Sequence, residues 1–195
     1  MEMKSIVFQV YYSLTVLQYH EPGFKHLDLK TDNILVFKPD PKKTKGKFNK
    51  YVIGDREYFL PADGIQVKIF DFDFAVSDKI ENSKISCDIF GKIGLSKDHN
   101  PVQDCHYFLN FLINFRKEYY HYKKPVMDFL KSLLPESLSG KDKNNVIVNY
   151  RLSNYNKFSG ILNCNYVPPK GEMLTPAEAL IESNHFKEFL KVPVN

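Results

Sequence analysis

The chain has 195 residues, of which 43% are apolar and 26% are charged, and its 27 Lys and Arg outnumber its 23 Asp and Glu. This length and composition predict one folded domain with a sizeable core and exclude a disordered chain. The formal net charge of +4 suits a phosphate ligand or an acidic partner, but it is too small to indicate a nucleic-acid-binding protein.

Targeting and redox signals point to the inside of a cell. No apolar run is long enough to cross a membrane, and the N-terminus lacks the pattern of a secretory signal. The cysteines Cys87, Cys105 and Cys164 are odd in number and widely spaced, which favours reduced thiols and a cytoplasmic location. Cys105 lies beside His106 and near His99, but this spacing matches no common zinc site.

The first element is a predicted helix from about Glu2 to Tyr19. Apolar residues recur in it at spacings of four, four and three, as on one face of a helix: Ile6, Val10, Leu14 and Leu17. Pro22 and Gly23 mark its end. The helix therefore leads directly into the polar segment that follows.

Two polar segments next to predicted apolar strands contain the candidate functional residues of the chain. Segment 26–33 reads His-Leu-Asp-Leu-Lys-Thr-Asp-Asn, and the apolar run after it, 34–36, predicts a buried strand. A second predicted strand, 67–70, ends at Asp-Phe-Asp, residues 71–73. Turns rich in Asp and Asn often flank strands. That alternative does not explain two ordered motifs at this separation.

The residue types in these segments suit phosphoryl transfer, which depends mainly on positioning and charge stabilisation. Asp28 could orient the proton of a substrate hydroxyl, and Lys30 could meet the transferred phosphate. Asn33 and Asp71 could supply the hard oxygen ligands that Mg²⁺ prefers.

Together the two segments resemble the catalytic loop and metal-binding motif of protein kinases, His-Arg-Asp-Leu-Lys-x-x-Asn followed by Asp-Phe-Gly. The matches depart at Leu27 and Asp73. The resemblance covers most of the chain, 1–195, but only the larger, C-terminal lobe of a kinase. It implies a mainly α fold with small β hairpins (α+β), and we expect the N-terminal lobe with its glycine-rich loop and strand lysine to be absent.

The resemblance also implies roles for individual residues. Asp28 and Lys30 would be catalytic; Asn33 and Asp71 would bind Mg²⁺ and, with Leu35 beneath the adenine, ATP. Three further residues would support the site: His26 would pack under Phe72, and Asp104 would accept backbone hydrogen bonds from the catalytic loop.

Both departures from the kinase pattern have consequences. Leu27 replaces an arginine that usually pairs with a phosphate on the activation segment, so we expect no activation by such a phosphate. Asp73 replaces a glycine and is either an additional carboxylate near the metal or a simple surface substitution.

Residues 38–63 form a basic insertion between the two motifs and predict a hairpin. Its lysines are Lys42, Lys43, Lys45, Lys47 and Lys50. We favour a solvated surface loop over a docking site for an acidic partner or nucleic acid. With Asp-Phe-Asp, this insertion is similar to kinase-like proteins of large DNA viruses.

The remainder is predicted to be an activation segment, 76–101, without Ala-Pro-Glu, and a helical region, 102–195. The helix after Asp104 is apolar on all sides and should be buried. Another helix is predicted from Val126 to Leu134, and Ser139 to Gly171 reads mostly as loop. Thr175-Pro176-Ala177-Glu178 is typical of a helix start.

Three functions remain open from the sequence. The first is a serine/threonine protein kinase fragment that transfers the γ-phosphate of Mg-ATP to a protein hydroxyl, with a protein substrate and a separate N-terminal lobe or activator as partners. The second is a non-catalytic kinase-like interaction module. The third is a small-molecule phosphotransferase, against which Lys30 and the C-terminal helices argue. A viral origin would place the protein in the host cell or virion.

Overall fold

The computed structural model describes residues 2–86, 95, 98–115, 122–141, 146–152, 154–155, 162–163 and 166–190. Parts of the predicted activation segment and of the helical region lie outside these residues, as do Cys87 and Cys164. Helices and small sheets mix along the described chain, so the predicted α+β class is confirmed.

The helices of the described residues are α1 (Glu2–His20), α2 (Pro41–Thr44), α3 (Gln103–Asn110), α4 (Lys124–Leu133) and α5 (Pro176–Ile181). The strands are β1 (Ile34–Phe37), β2 (Phe48–Ile53), β3 (Arg56–Pro61), β4 (Gln66–Ile69), β5 (Ile147–Val148), β6 (Arg151–Leu152), β7 (Asn154–Tyr155) and β8 (Leu162–Asn163). They pair as antiparallel ribbons, β1 with β4, β2 with β3, β5 with β6 and β7 with β8. None of the described helices is long and apolar enough to span a membrane.

Helix α1 forms the centre of the core. Phe8 is fully buried, and its ring lies 5.1 to 5.6 Å from four aromatic rings of the hairpin and the C-terminal region: Tyr51, Tyr58, Phe186 and Phe189. Such aromatic contacts add to the stabilisation from buried area alone. The helix thereby joins the beginning of the chain to its end.

Helix α1 also positions strand β4. The Gln9 side chain donates from Nε2 to the Ile65 carbonyl at 2.9 Å and accepts at Oε1 from the Val67 N–H at 3.1 Å. A buried amide that is bonded at both ends fixes the backbone it contacts. Gln9 therefore holds the strand that leads to Asp71.

The insertion contains the predicted hairpin, β2 and β3, but its interpretation as a solvated loop is wrong for one face. Ile53, Tyr58 and Leu60 are buried, and the Tyr58 hydroxyl donates to the Leu180 carbonyl at 2.7 Å. Tyr58 and Leu60 are two residues apart on a strand and therefore share the face that packs on the core. The sequence does not indicate this buried face, because basic residues dominate the composition of the insertion.

The C-terminal helices agree with the predicted pattern. Every residue of α3 is buried, and the chain continues into a π-helical turn, Phe111–Phe115. Helix α4 begins two residues before the predicted start at Val126, with Pro125 in its first turn. Helix α5 begins with a capping box in which Thr175 and Glu178 satisfy each other's backbone N–H groups.

The segment predicted as mostly loop contains a short hairpin of functional interest. Strands β5 and β6 are joined by Asn149 and Tyr150, both with positive φ (49° and 65°). A two-residue turn with this geometry usually contains glycine, so the Asn-Tyr pair gave little signal. The turn delivers Arg151 to the buried interior.

Candidate active site

The two polar motifs meet at one end of the β1–β4 ribbon. Ile34 pairs with Ile69, and the Phe70 N–H donates to the Asn33 carbonyl at 3.1 Å. Asp71 follows Phe70 directly, so the two motifs that the sequence separates by more than thirty residues become backbone neighbours.

Asp28 is the most heavily bonded side chain of the site. Its Oδ2 accepts from Lys30 Nζ at 2.7 Å and from Asn33 Nδ2 at 3.0 Å, while its Oδ1 accepts from Arg151 Nη2 at 2.5 Å. The residue is only 6% exposed. A buried carboxylate with two cationic partners and an amide is held in one orientation.

Asn33 is positioned by a 3-10 turn, Thr31–Asn33, that closes the loop. Its Nδ2 also donates to the Asp28 backbone carbonyl at 2.8 Å. Because the amide nitrogen faces Asp28, the amide oxygen is the atom that could ligate a cation.

Asp71 and Leu35 are the more exposed members of the predicted set. Asp71 has a left-handed backbone (φ 63°), which Asp tolerates better than most residues. Leu35 lies on β1 opposite Lys68 and is 51% exposed. The structure thus gathers Asp28, Lys30 and Asn33 in direct contact and leaves Asp71 and Leu35 at the open side of the ribbon.

His26 contacts the second motif through its ring. The His26 and Phe72 ring centroids are 4.9 Å apart, and Nε2 lies 2.9 Å from the Phe70 carbonyl, to which it donates. The Asp28 N–H points at Nδ1 from 3.4 Å. These contacts link the loop to the Phe70–Phe72 segment through the His26 ring.

Asp104 fixes the backbone of loop 26–33. Its carboxylate accepts the backbone N–H groups of His26 at 2.7 Å and Leu27 at 2.9 Å. Burial raises the pKa of this carboxyl, while His26 and the two N–H groups act in the opposite direction. These are the backbone contacts that the kinase resemblance implied for Asp104.

Leu27 occupies the position of the missing arginine and makes apolar contacts instead. It has a positive φ (64°) and is buried with Val76, Ile85 and Leu95 of the predicted activation segment. Two residues before Leu27, the buried Lys25 donates from Nζ to the Asp98 carbonyl, near the end of the predicted activation segment. Burial lowers the pKa of Lys25 to about 8.

Asp73 fits the surface alternative. It is exposed, its side chain accepts from Lys84 Nζ at 2.8 Å, and its backbone is not among those with positive φ. Asp73 therefore does not need the backbone freedom of the glycine that stands at this position in the kinase pattern.

Arg151 was missed by the sequence reasoning. It lies 123 residues after Asp28, on a strand of two residues. One signal was available: arginine is rare in this chain, occurring at positions 56, 116 and 151, and it suits a buried carboxylate better than lysine does.

The site offers few side chains that could hold a metal ion. Among the described residues, no group of three or more His, Cys, Asp or Glu side chains could hold one. Asn33 and Asp71 offer two hard oxygen ligands, which fits Mg²⁺ because this ion usually binds through one or two carboxylates together with substrate phosphates. Cys105, by contrast, is a buried free thiol that donates to the Val102 carbonyl.

The chain is similar to known viral proteins. The sequence profile described as poxvirus serine/threonine protein kinase matches residues 3–162. The chain therefore belongs to the poxvirus serine/threonine protein kinase family, and the predicted likeness to kinase-like viral proteins is confirmed.

Individual relatives carry kinase names. One mimivirus protein (Acanthamoeba polyphaga mimivirus) named as a serine/threonine-protein kinase is 39% identical over 147 residues, 72% of this chain and 32% of its own length. Serine/threonine-protein kinase 2 of Swinepox virus is 36% identical over 91 residues, 47% of this chain and 18% of its own. The chain thus spans a third or less of these relatives. No solved structure matches it significantly.

Proposed function

We propose that this chain carries the catalytic lobe of a serine/threonine protein kinase that transfers the γ-phosphate of ATP to a protein hydroxyl. One observation carries the proposal: Asp28, Lys30 and Asn33 are in direct contact at the ribbon end where Asp71 emerges. The kinase names of the relatives support the same reading.

In this proposal each side chain has one task. Asp28 accepts the hydrogen bond of the substrate hydroxyl and orients its oxygen toward the phosphate. Lys30, which already contacts Asp28, offers its ammonium to the transferred phosphoryl group. Asn33 and Asp71 would hold Mg²⁺, which supplies charge neutralisation for the nucleotide phosphates when bound.

The open face of the β1–β4 ribbon is the proposed nucleotide side. Large apolar residues are exposed there or just beyond it: Leu35, Phe37, Phe70 and Phe72. Leu35 would lie beneath the adenine, and an N-terminal lobe or activator would cover the remaining surface. Exposed apolar patches of this kind are typical of ligand or partner sites.

The test is transfer of labelled phosphate from Mg-ATP to a protein acceptor such as casein, with nucleotide-dependent thermal stabilisation measured in parallel. We expect Asp28→Asn to lower the transfer rate by about 100-fold or more, the contribution typical of a positioned proton acceptor. Asp71→Asn should abolish the Mg²⁺-dependent part of the stabilisation.

The matched control is Asp73→Asn, which removes a carboxylate two residues from Asp71 that pairs with Lys84 at the surface. This variant should transfer phosphate like wild type. Transfer that survives Asp28→Asn would refute the proposed site. Absence of both transfer and nucleotide-dependent stabilisation would instead favour a non-catalytic interaction module.

A further inference from the structure

Arg151 is a buried cation whose guanidinium bonds the loop that carries Asp28. Nη2 donates to Asp28 Oδ1 at 2.5 Å and Nε donates to the Leu27 carbonyl at 3.3 Å. Its guanidinium lies 4.0 Å from the ring centre of Tyr107. Burial raises the pKa of Tyr107 to about 12, so the ring beneath the cation stays neutral.

Among the described residues, the hydrogen bonds of Asp28 leave room for one more donor. An ionised carboxylate has about four acceptor positions. Lys30 and Asn33 occupy Oδ2, and Arg151 occupies one side of Oδ1. The remaining acceptor position is therefore on Oδ1. Because Arg151 bonds this same oxygen, it sets the direction in which the free position faces.

Charge balance alone does not account for Arg151. Lys30 already provides a cation for Asp28, and burying an ion pair contributes little net stability because of desolvation. What Arg151 adds is geometry, since its planar group bonds the side chain of Asp28 and the backbone of Leu27 at once.

We propose that Arg151 is a positioning residue for Asp28, fixing the rotation of its carboxylate so that the free acceptor position on Oδ1 faces the substrate hydroxyl. This inference rests on the proposed function. It assigns a site role to a residue outside both kinase-like motifs. The β5–β6 hairpin, which carries Arg151, thereby becomes part of the site's support.

The experiment compares wild type with Arg151→Ala, Arg151→Lys and the matched control Arg56→Lys on strand β3. We expect Arg151→Ala to lower kcat about 100-fold, the cost of a misplaced reacting group. The KM for ATP should stay within about twofold of wild type, because the lost interaction acts in the transition state. Arg56→Lys should behave like wild type.

Two further readouts separate positioning from a general structural role. Millimolar guanidinium should restore part of the kcat of Arg151→Ala but none of that of Asp28→Asn, because only the first variant has a guanidinium-shaped gap. Arg151→Lys keeps the charge but lacks the planar pair of donors. It should fold with a circular dichroism spectrum like wild type and still lose most of the activity.

The outcomes distinguish this inference from the proposed function. An active wild type with unchanged kcat in Arg151→Lys, or with a higher kcat in either variant, overturns the positioning role and leaves the kinase proposal standing. Loss of kcat in Arg151→Ala without guanidinium rescue also overturns it. A wild type without phosphate transfer overturns the proposed function and this inference with it.

Discussion

Three aspartates of the site occupy three different environments. Asp28 is buried between two cations, Asp104 is buried against backbone N–H groups, and Asp71 is exposed on a left-handed backbone. A carboxylate with fixed partners suits orientation of another group, whereas an exposed one is accessible to a cation and a nucleotide. The proposed division of roles follows from these surroundings.

Because His106 is buried, we expect the stability of the fold to be sensitive to acid. Its Nε2 donates to the Leu138 carbonyl at 2.7 Å, its Nδ1 has no hydrogen-bond partner among the described residues, and burial lowers its pKa from 6.5 to about 4. Between these pH values the His106 ring is protonated in the unfolded chain and neutral in the folded chain. The free energy of unfolding should therefore fall by about 3 kcal/mol as the pH drops from 6.5 to 4.

The measurement is urea unfolding at several pH values for wild type and His106→Gln, which has no titrating ring. The variant should lack this part of the pH dependence, so the stability difference between the two proteins shrinks as the pH falls. His20→Gln, at an exposed position, is the control. Parallel curves for wild type and His106→Gln would contradict the prediction.

At the scale of elements, hairpins inserted between or after the motifs tie the site to the core. The β2–β3 hairpin reaches the C-terminal helix α5 through Tyr58, and the β5–β6 hairpin reaches loop 26–33 through Arg151. Short ribbons of this kind are marginal in isolation. Their stability comes from the buried side chains they deliver, so both depend on a few contacts.

Tyr58 provides the test for the basic hairpin. Tyr58→Phe keeps the ring but removes the hydroxyl that bonds the Leu180 carbonyl. We expect a loss of about 1–2 kcal/mol in the free energy of unfolding, because a buried carbonyl is left without its donor. Tyr19→Phe, on a residue that is 81% exposed, should have no measurable effect. Equal stability of the two variants would mean that the hairpin does not dock as described.

At the scale of the whole molecule, the loop and the predicted activation segment form a second, small apolar cluster. It consists of Leu27, Val76, Ile85 and Leu95, with Phe74 packed against it. Lys25 adds a bond to Asp98, and its backbone pairs with Val76. These contacts need no phosphate. That the protein works without an activating phosphate stays a prediction.

Leu27→Ala tests this cluster. Removing a buried leucine side chain should cost about 2–5 kcal/mol of unfolding free energy, at the lower end if the small cluster can close the gap. Ile80→Ala, in the same segment but 58% exposed, is the matched control and should change stability by less than about 0.5 kcal/mol. Urea unfolding measures both, and a neutral Leu27→Ala would show that the cluster is not a stabilising unit.

Local patterns were enough for much of this protein. Apolar spacing located α1 and the buried α3, and the Thr175–Glu178 box located the start of α5. The resemblance of segments 26–33 and 71–73 to kinase motifs identified the candidate site. Each of these signals lies within a few residues or within a short motif. The periodicity of helices and strands and the chemistry of caps act over that range, so they can be read along the chain.

The buried face of the basic hairpin, the apolar role of Leu27 and the bond from Arg151 to Asp28 could not be read in this way. Each joins segments far apart in the chain, and the composition around them signals something else: lysines in the hairpin, a loop around Arg151. Which distant surfaces meet depends on how all the elements pack together. A two-residue hairpin that brings one arginine across 123 residues to a carboxylate is therefore visible only once the chain is folded.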